Sequence, residues 1–312
     1  MKKYIVRRLF SLIPVLLGIS VITFGLIHMV PCDPAEVYLR LSQIPPTDEA
    51  VALVRTELGL DRPLYVQYFD WLWKVFHFDF GKSFVTRQPV LPAILYYIPA
   101  TIQLTVCSLI LMLLISVPVG IWAALYKDSL FDQLSRILAF IGASMPSFWL
   151  GFLLLYVFSL KLDLLPVTGR GTYLHLILPS LTLALGYAAT YTRLLRTSML
   201  ENLNKDFVLY ARVRGLKEKF IIGKHVLKNA LLPMVTAFGM SLGHLLAGAV
   251  IVENIFAWPG VGRYCVFSIF SRDYPVIQCY VCLMAVIFVV CNLLVDIAYG
   301  FLDPRIKIGR EQ

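Results

Sequence analysis

The stretch TIQLTVCSLILMLLISVPVGIWAALY, residues 101–126, contains no charged side chain. A helix needs roughly 20 consecutive apolar residues to cross the hydrocarbon core of a bilayer, and this run is long enough. The whole chain of 312 residues follows the same trend, because 59% of it is hydrophobic and only 15% is charged. An average soluble domain is about 45–50% apolar and about 25% charged. The sequence therefore predicts an integral membrane protein.

Six apolar runs of this kind predict an all-α integral membrane protein with six transmembrane helices. They are Leu9–Val30, Thr101–Tyr126, Ile137–Leu160, Leu176–Leu195, Ala230–Val252 and Val276–Tyr299. We expect prolines inside them to be tolerated, because neighbouring helices can satisfy the freed backbone groups. These prolines are Pro14, Pro118, Pro146 and Pro179. The first run is predicted to be a retained helix, because it is too long for a signal peptide and no small-residue cleavage site precedes PCDPAEV.

Lysine and arginine residues predict the orientation, because cytoplasmic loops carry an excess of them. With the N-terminus inside, most of the 28 basic residues fall on the inner side, nine of them between Arg193 and Lys228. The formal net charge of +9 is then a topology signal and argues against nucleic acid as a partner. We expect both termini to be cytoplasmic and the chain to be a multi-pass protein of the cytoplasmic (inner) membrane.

Two outer loops carry signals of local structure. In PPTDEAVALVRTELG, residues 45–59, Thr47 can cap the start of a helix and Gly59 can end it. In ENIFAWPGVGRY, residues 253–264, Pro259–Gly260 suits the middle of a type II turn. The flanking aromatic residues that we expect at headgroup depth are Phe256, Trp258 and Tyr264.

The stretch DFVLYARVRGLKEKFIIGKHVLKNALLP, residues 206–233, is the most basic part of the chain and is termed the basic segment. Its apolar residues recur at helical spacing and its lysines fall on an adjoining face, although Ile221 and Ile222 interrupt the pattern. The two sets are Leu216, Phe220, Leu227 and Leu231, and Lys217, Lys224 and Lys228. Gly215 can let one short helix turn sharply into the next, since it lacks a β-carbon. The residues alone leave open whether this is an interfacial helix with its lysines extended to water or a handle moved by a partner.

Cys279 and Cys282 form a C-x-x-C on one face of the last predicted helix. No second pair accompanies them to complete a four-ligand zinc site. Two roles remain open for them: packing as small apolar groups, or transient contact with a cation such as nickel.

His244 in FGMSLGHLLAGAV lies inside a predicted span, where a histidine is costly unless it faces a cavity or a partner. It either lines a transport path and binds metal, or forms a hydrogen bond across a helix contact. The candidate residues of a substrate path are His244, Met240, Cys279 and Cys282, and the candidate metal ligand is His244.

The sequence GKSF at 81–84 resembles the end of a phosphate-binding loop, but Phe76 stands where that motif requires its first glycine. The spans also lack a clustered acid, base and nucleophile. We therefore expect no catalytic residue, no ATP hydrolysis by this chain and no cofactor bound to it. The energy for any transport must then come from a partner.

The basic segment resembles the cytoplasmic loop of permease subunits of binding-protein-dependent ABC importers. That family's pattern is E-A-A, three residues, Gly and then Leu-Pro, and Ala211, Gly215 and Leu232–Pro233 match it. Leu209 and Tyr210 occupy the slots of the glutamate and the first alanine, a departure common in the peptide and nickel branch.

Other stretches are similar to the dipeptide, oligopeptide and nickel permeases along nearly the whole chain. They are DPAEVYLRL (33–41), LGLDRPLYVQYFDWLWKVFHFDFGKSF (58–84), ASMPSFWLGFLLL (143–155), ENIFAWPGVGRY (253–264) and RDYPVIQC (272–279). Cys32 departs from the family, which usually has glycine before D-P-A. The last two stretches, with FVVCNLLVDIAYGFLDPRI (288–306), are most similar to nickel-transport permeases.

The resemblance implies a type I ABC-importer permease that works by alternating access and carries nickel, free or chelated; the alternative is a dipeptide or oligopeptide importer. It implies a second homologous permease, two ATP-binding subunits that hold ATP and Mg, and an extracytoplasmic nickel-binding protein. The basic segment would couple to the ATPase through Tyr210, Ala211, Arg212, Gly215, Leu216, Phe220, Lys224, His225, Leu231 and Pro233.

The predicted domains follow from the same resemblance and from the apolar runs. They are an N-terminal helix at 1–30, an extracytoplasmic subdomain at 31–98, a type-1 permease domain at 99–300 with its coupling loop at 196–229, and a cytoplasmic tail at 301–312. An ion-driven secondary transporter is the rival of another class, but it would show inverted repeats and several intramembrane carboxylates.

Overall fold

The computed structural model describes the backbone of residues 2–29 and 33–302; the side chains of 2–12, 240, 242, 244 and 296–302 lie outside the described part. The described residues form helices and no strand. The helices are α1 (Lys2–His28), α2 (Pro34–Leu41), α3 (Asp48–Leu58), α4 (Leu64–Phe76), α5 (Val90–Leu125), α6 (Leu130–Ser144), α7 (Ser147–Leu154, continued by a π-helical turn Leu155–Lys161), α8 (Leu174–Leu203), α9 (Asp206–Val213), α10 (Glu218–Phe220, continued by a π-helical stretch Ile221–Val226), α11 (Leu227–Ile255), α12 (Val261–Phe270) and α13 (Tyr274–Leu302).

Three helices of the described chain, Val90–Leu125, Leu174–Leu203 and Tyr274–Val295, are long and apolar enough to cross a membrane, and a bent pair would make a fourth span. The helix α1 has 27 residues, and Ile13–His28 is its apolar stretch among the described residues. The helix α11 has 29 residues, and Leu245–Ile255 is the corresponding stretch. The all-helical prediction is confirmed for the described residues. The count of six spans and the orientation of the termini stay predictions.

The third predicted span is wrong as one continuous helix. The chain breaks at Met145–Pro146, and the helices on either side meet at a bend of 108°. Proline lacks the N–H that a continuous helix needs and disfavours helical geometry in the residue before it. Met145 is extended at ψ 124°. The other three prolines of the apolar runs lie inside helices, as expected.

The capping prediction for α3 is confirmed. The Thr47 hydroxyl accepts a hydrogen bond from the Ala50 N–H at 3.3 Å, which satisfies one of the free donors at the helix start. Gly59 ends the helix in the left-handed region, at φ 70°. A residue with a β-carbon would be strained there.

The chain divides into two compact units, of which the first holds residues 1–100 and 259–290. One of its core clusters consists of Val90, Ile94, Val261, Val276 and Cys279. Asp273, which is 2% exposed, accepts hydrogen bonds from the Ser83 hydroxyl at 2.5 Å and the Phe84 N–H at 2.9 Å. This carboxylate ties the loop before α5 to the start of α13.

The second unit holds residues 101–258 and 291–312, and α8 runs through its core. Asp132 in the first turn of α6 is fully buried and pairs with Arg196 of α8 through two hydrogen bonds, at 2.5 and 2.7 Å. A further bond reaches the Asp132 carboxylate from the Asp128 N–H at 2.9 Å. The pair fixes α6 against α8, and its planar two-point geometry favours arginine over lysine.

The type II turn predicted in the loop at 253–264 is wrong. Gly260 has φ −97° and ψ 170°, so it caps α12 in an extended conformation and not at the positive φ that a type II turn requires. Phe256 and Trp258 are 2% and 1% exposed, so their side chains contact protein, and Tyr264 is half-buried; the headgroup depth of all three stays a prediction. Backbone contacts hold Phe256 and Trp258 inside, because the Phe256 carbonyl accepts from Gly169 and the Trp258 N–H donates to Glu253.

Candidate functional site: the basic segment

A glycine-dependent turn bends the basic segment where the sequence predicts it. Gly215 has φ 74°, and its N–H donates to the Arg212 carbonyl at 2.9 Å. The Leu216 N–H reaches back to the Ala211 carbonyl at 3.2 Å. These two bonds form a Schellman motif, which closes α9 and lets the chain leave in a new direction.

The side of the basic segment that packs inward differs from the predicted one. Val208, Ala211, Ile221, Val226 and Ala230 are buried and join one hydrophobic cluster. That cluster also contains Leu195 and Met199 near the end of α8. The inner side of the segment is therefore supported by the packed core of its own unit.

The predicted apolar face is wrong for its first half: Leu227 and Leu231 pack against the cluster, but Leu216 and Phe220 do not, because the helix is not a regular α-helix. Leu216 and Phe220 are 40% and 44% exposed, whereas Ile221, which interrupted the pattern, is fully buried. Residues Ile221–Val226 are π-helical. A π-helical turn adds a residue to each repeat, so residues five apart, such as Ile221 and Val226, come to one side of the helix.

The outer side of the basic segment combines apolar and basic side chains. Its large exposed apolar residues are Leu209, Tyr210, Val213, Leu216 and Phe220. Exposed basic residues of the same stretch are Arg212, Arg214, Lys217, Lys219 and Lys224. These two sets together are termed the basic-rimmed patch. A contiguous exposed apolar surface rimmed by polar groups is typical of an interaction site.

Contacts among neighbours order part of this surface. Arg212 and Glu218 form an ion pair at 2.6 Å across the Gly215 turn. The Lys224 ammonium lies 5.1 Å from the centroid of the Phe220 ring. The same ring meets His225 edge-on at 5.6 Å. Phe220 is thus held from two sides while its ring stays accessible.

Three of the other predicted coupling residues are less accessible to a partner than Tyr210 or Phe220. Ala211 is 7% exposed and belongs to the core. His225 and Leu231 are half-buried, and Pro233 is exposed within α11. The coupling roles of all ten residues remain predictions.

The candidate path residues are only partly described. Cys279 is fully buried in the core of its unit and Cys282 is half-buried. The side chains of Met240 and His244 lie outside the described residues. Among the residues that the structure does describe, no group of three or more His, Cys, Asp or Glu is arranged to hold a metal ion.

Sequence reasoning missed the buried carboxylates. Asp132, Asp273 and Glu253 are all at most 2% exposed, and Glu253 accepts a hydrogen bond from the Thr101 hydroxyl at 2.5 Å. A local signal existed for Asp132, since it lies three residues after Ser129, which caps α6. Its partner Arg196 is 64 residues away, and nothing local points to it.

Two protein-family models match the chain, and together they cover nearly all of it. The family described as "Binding-protein-dependent transport system inner membrane component" matches residues 116–308. The family described as "Binding-prot-dependent transport system membrane comp, N-term" matches residues 1–105.

Curated relatives match over almost their whole length. The glutathione transport system permease protein GsiC of Salmonella typhimurium is 42% identical over 308 residues, which cover 98% of this chain and 99% of the relative. GsiC of Escherichia coli is 41% identical with the same coverage.

A solved structure supports the fold. The MetNI methionine ABC transporter in inward facing conformations has a chain that superposes with a TM-score of 0.59 at 18% identity, over 69% of this chain and 99% of that chain. The chain therefore belongs to the inner membrane components of binding-protein-dependent transport systems, which are the permease subunits of ABC importers.

Proposed function

We propose that this permease forms part of the path for small peptides of the glutathione type, and that the basic-rimmed patch is where a partner ATPase moves it. The observation that carries the substrate class is the 41–42% identity to glutathione permeases over nearly the full length of both chains. Glutathione is a short peptide, so these relatives favour the peptide alternative over nickel.

The assignment of the chain to the permease subunits of ABC importers does not depend on this proposal. Members of the family are non-catalytic inner-membrane permeases, and their partners hydrolyse ATP. An importer of this kind also needs a second permease and a substrate-binding protein. The predictions that the chain is not an enzyme and lies in the inner membrane are thereby confirmed.

The nickel prediction rests on stretches near the end of the chain, and the relatives do not support it. Cys279, one of its candidate residues, is fully buried in a cluster of apolar side chains, where packing is the usual role of a free cysteine. A path role for Cys282, Met240 or His244 stays a prediction.

Two features support coupling through the basic-rimmed patch: the inner side of the segment is packed against the core, and its outer side is exposed. Val208, Ile221 and Val226 are at most 1% exposed and continue the core around α8. Protein interiors are close-packed and resist compression, so a push on such a surface is transmitted rather than absorbed. The exposed Tyr210 and Phe220 supply aromatic anchors of the kind enriched at protein interfaces.

The test is uptake by the assembled importer in proteoliposomes, with its second permease, ATPase subunits and substrate-binding protein. We expect ATP-dependent accumulation of labelled glutathione, and competition by other short peptides but not by nickel. The control is the same assembly with a hydrolysis-deficient ATPase partner, which should accumulate nothing. Nickel uptake that unlabelled glutathione leaves unchanged would overturn the peptide proposal.

A further inference from the structure

The helix α4 packs one of its faces against α1. The Ser20 hydroxyl donates to the Leu17 carbonyl at 2.7 Å, so the Tyr68 hydroxyl, 2.8 Å away, donates to Ser20. The Phe24 ring meets Tyr68 at 5.4 Å and Trp71 at 5.9 Å. These contacts fix which side of α4 is turned toward α1.

A second face of α4 consists of large apolar side chains that remain open. Tyr65, Phe69, Trp73 and Phe76 are each 63–68% exposed. They follow one another at steps of four, four and three residues, so they form one stripe along the helix. This set is termed the aromatic stripe. It adjoins the face that contacts α1 and contains no charged residue.

The third face of α4 is polar and points toward the preceding loop. It consists of Gln67, Asp70 and Lys74, which are also three and four residues apart. The Gln67 amide donates to the carbonyls of Leu60 and Arg62 at 3.1 and 2.7 Å. Asp70 pairs with the Arg62 guanidinium at 2.8 Å. Water-facing groups and loop contacts are thus gathered on the side away from the aromatic stripe.

Contacts with α1 fix the depth of α4. They run from Ser20 to His28, whose Nε2 lies 3.3 Å from the Gln67 carbonyl oxygen. At 1.5 Å per residue, this stretch covers about 12 Å along the axis of α1. The predicted span ends at Val30, so the contacts from His28 to Ser20 lie about 3 to 15 Å inside it, within the outer half of the roughly 30 Å apolar thickness of a bilayer. We therefore expect α4 to lie beside the membrane-embedded part of α1.

From this arrangement we propose that α4 is an interfacial helix whose aromatic stripe is immersed in the outer leaflet of the membrane. The stripe has the composition of an aromatic belt, with Trp73 and Tyr65 among its members, and the polar face has the opposite orientation. The proposal rests on α1 crossing the membrane with its N-terminal end inside. It is independent of which substrate the importer carries.

Lipid is favoured over a protein partner by continuity with the exposed surface of α1. The apolar side chains Val21, Ile22 and Leu26 of α1 are 54–61% exposed over the same stretch that α4 contacts. Because α4 lies beside this stretch of α1, its aromatic stripe faces the same solvent as the exposed apolar side chains of α1. In a membrane component that solvent consists of acyl chains and headgroups.

The test is photo-crosslinking in the assembled importer, reconstituted in nanodiscs of phosphatidylethanolamine and phosphatidylglycerol. Phe69 or Trp73 is replaced by p-benzoyl-phenylalanine, which is aromatic and keeps the helix intact. The matched control carries the same probe at Asp70, on the polar face of the same helix. We expect phospholipid adducts, detected by mass spectrometry, to be about tenfold more abundant at the two stripe positions than at Asp70.

Two other results would each overturn the proposal. One is an adduct of the stripe positions with the substrate-binding protein or the second permease in place of lipid. The other is a lipid yield no higher than that of the Asp70 control. A second measurement needs no probe. The emission of Trp73 is obtained by subtracting the fluorescence of the Trp73→Phe variant from that of the wild-type chain, and brominated acyl chains should quench it. An unquenched difference contradicts immersion of Trp73.

Discussion

The basic-rimmed patch and the aromatic stripe both expose large apolar side chains, but their neighbours differ. In the patch, Arg212, Arg214 and Lys217 are interleaved with the apolar residues, and in the stripe the charged residues lie on another face of the helix. Charge next to apolar surface suits an aqueous partner of opposite charge. Charge segregated from it suits an interface between water and lipid. The arrangement of charge, more than the exposed apolar area, therefore separates the two roles.

The supports of the two regions differ as well. In the unit that contains the patch, a charged pair between Asp132 and Arg196 fixes two helices. In the unit that contains α4, the buried Asp273 is satisfied by the Ser83 hydroxyl and the Phe84 N–H. A buried carboxylate that loses its cation costs more than one that loses a single hydrogen-bond donor and keeps the others.

The largest effect on stability is expected when the ion pair between Asp132 and Arg196 is broken. Arg196→Met leaves Asp132 buried without its cation and should lower the free energy of unfolding by about 3–5 kcal/mol. Thermal unfolding of the assembled importer in detergent measures it. The double variant Asp132→Asn/Arg196→Met should recover part of the loss, because no charge is then stranded. Equal losses in both variants would show that the charge pair is not the cause.

Ser83→Ala should have the next largest effect, because it removes the hydroxyl donor to Asp273 and the acceptor for the Val85 and Thr86 N–H groups. We expect a loss of about 1–3 kcal/mol in the same unfolding measurement. Thr56→Ala is the matched control, since its hydroxyl donates to Asp61 at 2.8 Å but at an exposed site. A loss at Thr56 as large as that at Ser83 would contradict the role assigned to burial.

Phe220→Asp tests the comparison of the two surfaces directly. A carboxylate in the centre of the basic-rimmed patch removes an aromatic anchor, and we expect the partner ATPase to bind about tenfold more weakly, or about 1.4 kcal/mol. Co-purification at graded ATPase concentrations measures the change. Phe69→Asp, in the aromatic stripe, should leave ATPase binding unchanged. Equal weakening by both variants would abolish the distinction between the surfaces.

The smallest effect is expected at the turn of the basic segment. Gly215→Ala should destabilise by about 1 kcal/mol, since alanine resists a left-handed conformation and φ is 74° there. An added β-carbon meets nothing within 4 Å, so the cost is conformational. Gly223→Ala, in the following helix, is the control and should be neutral or stabilising. Unfolding measurements that give both variants the same sign would contradict this account of the bend.

Features set by neighbours in the chain were predictable. The cap at Thr47, the left-handed Gly59 and the turn at Gly215 depend on a few adjacent residues, and each was found. The apolar face of the basic segment was not predictable in the same way, because the π-helical stretch at Ile221–Val226 changes the repeat on which the prediction relies.

Features that require distant residues were beyond sequence reasoning. The pairing of Asp132 with Arg196 joins two helices, and that of Ser83 with Asp273 spans 190 residues. The type II turn expected at Gly260 failed although it is a local feature, because that glycine is extended and caps α12.

The sequence by itself determined that the chain is helical and apolar enough for a membrane, that its positive charge is concentrated in one segment and that this segment bends at a glycine. Only the tertiary structure decided which side of each helix is buried, where a proline breaks a span and which carboxylates are paired. The physical reason is that composition and φ preference act within a few residues, whereas burial and ion pairing depend on which distant side chains come within a few ångströms.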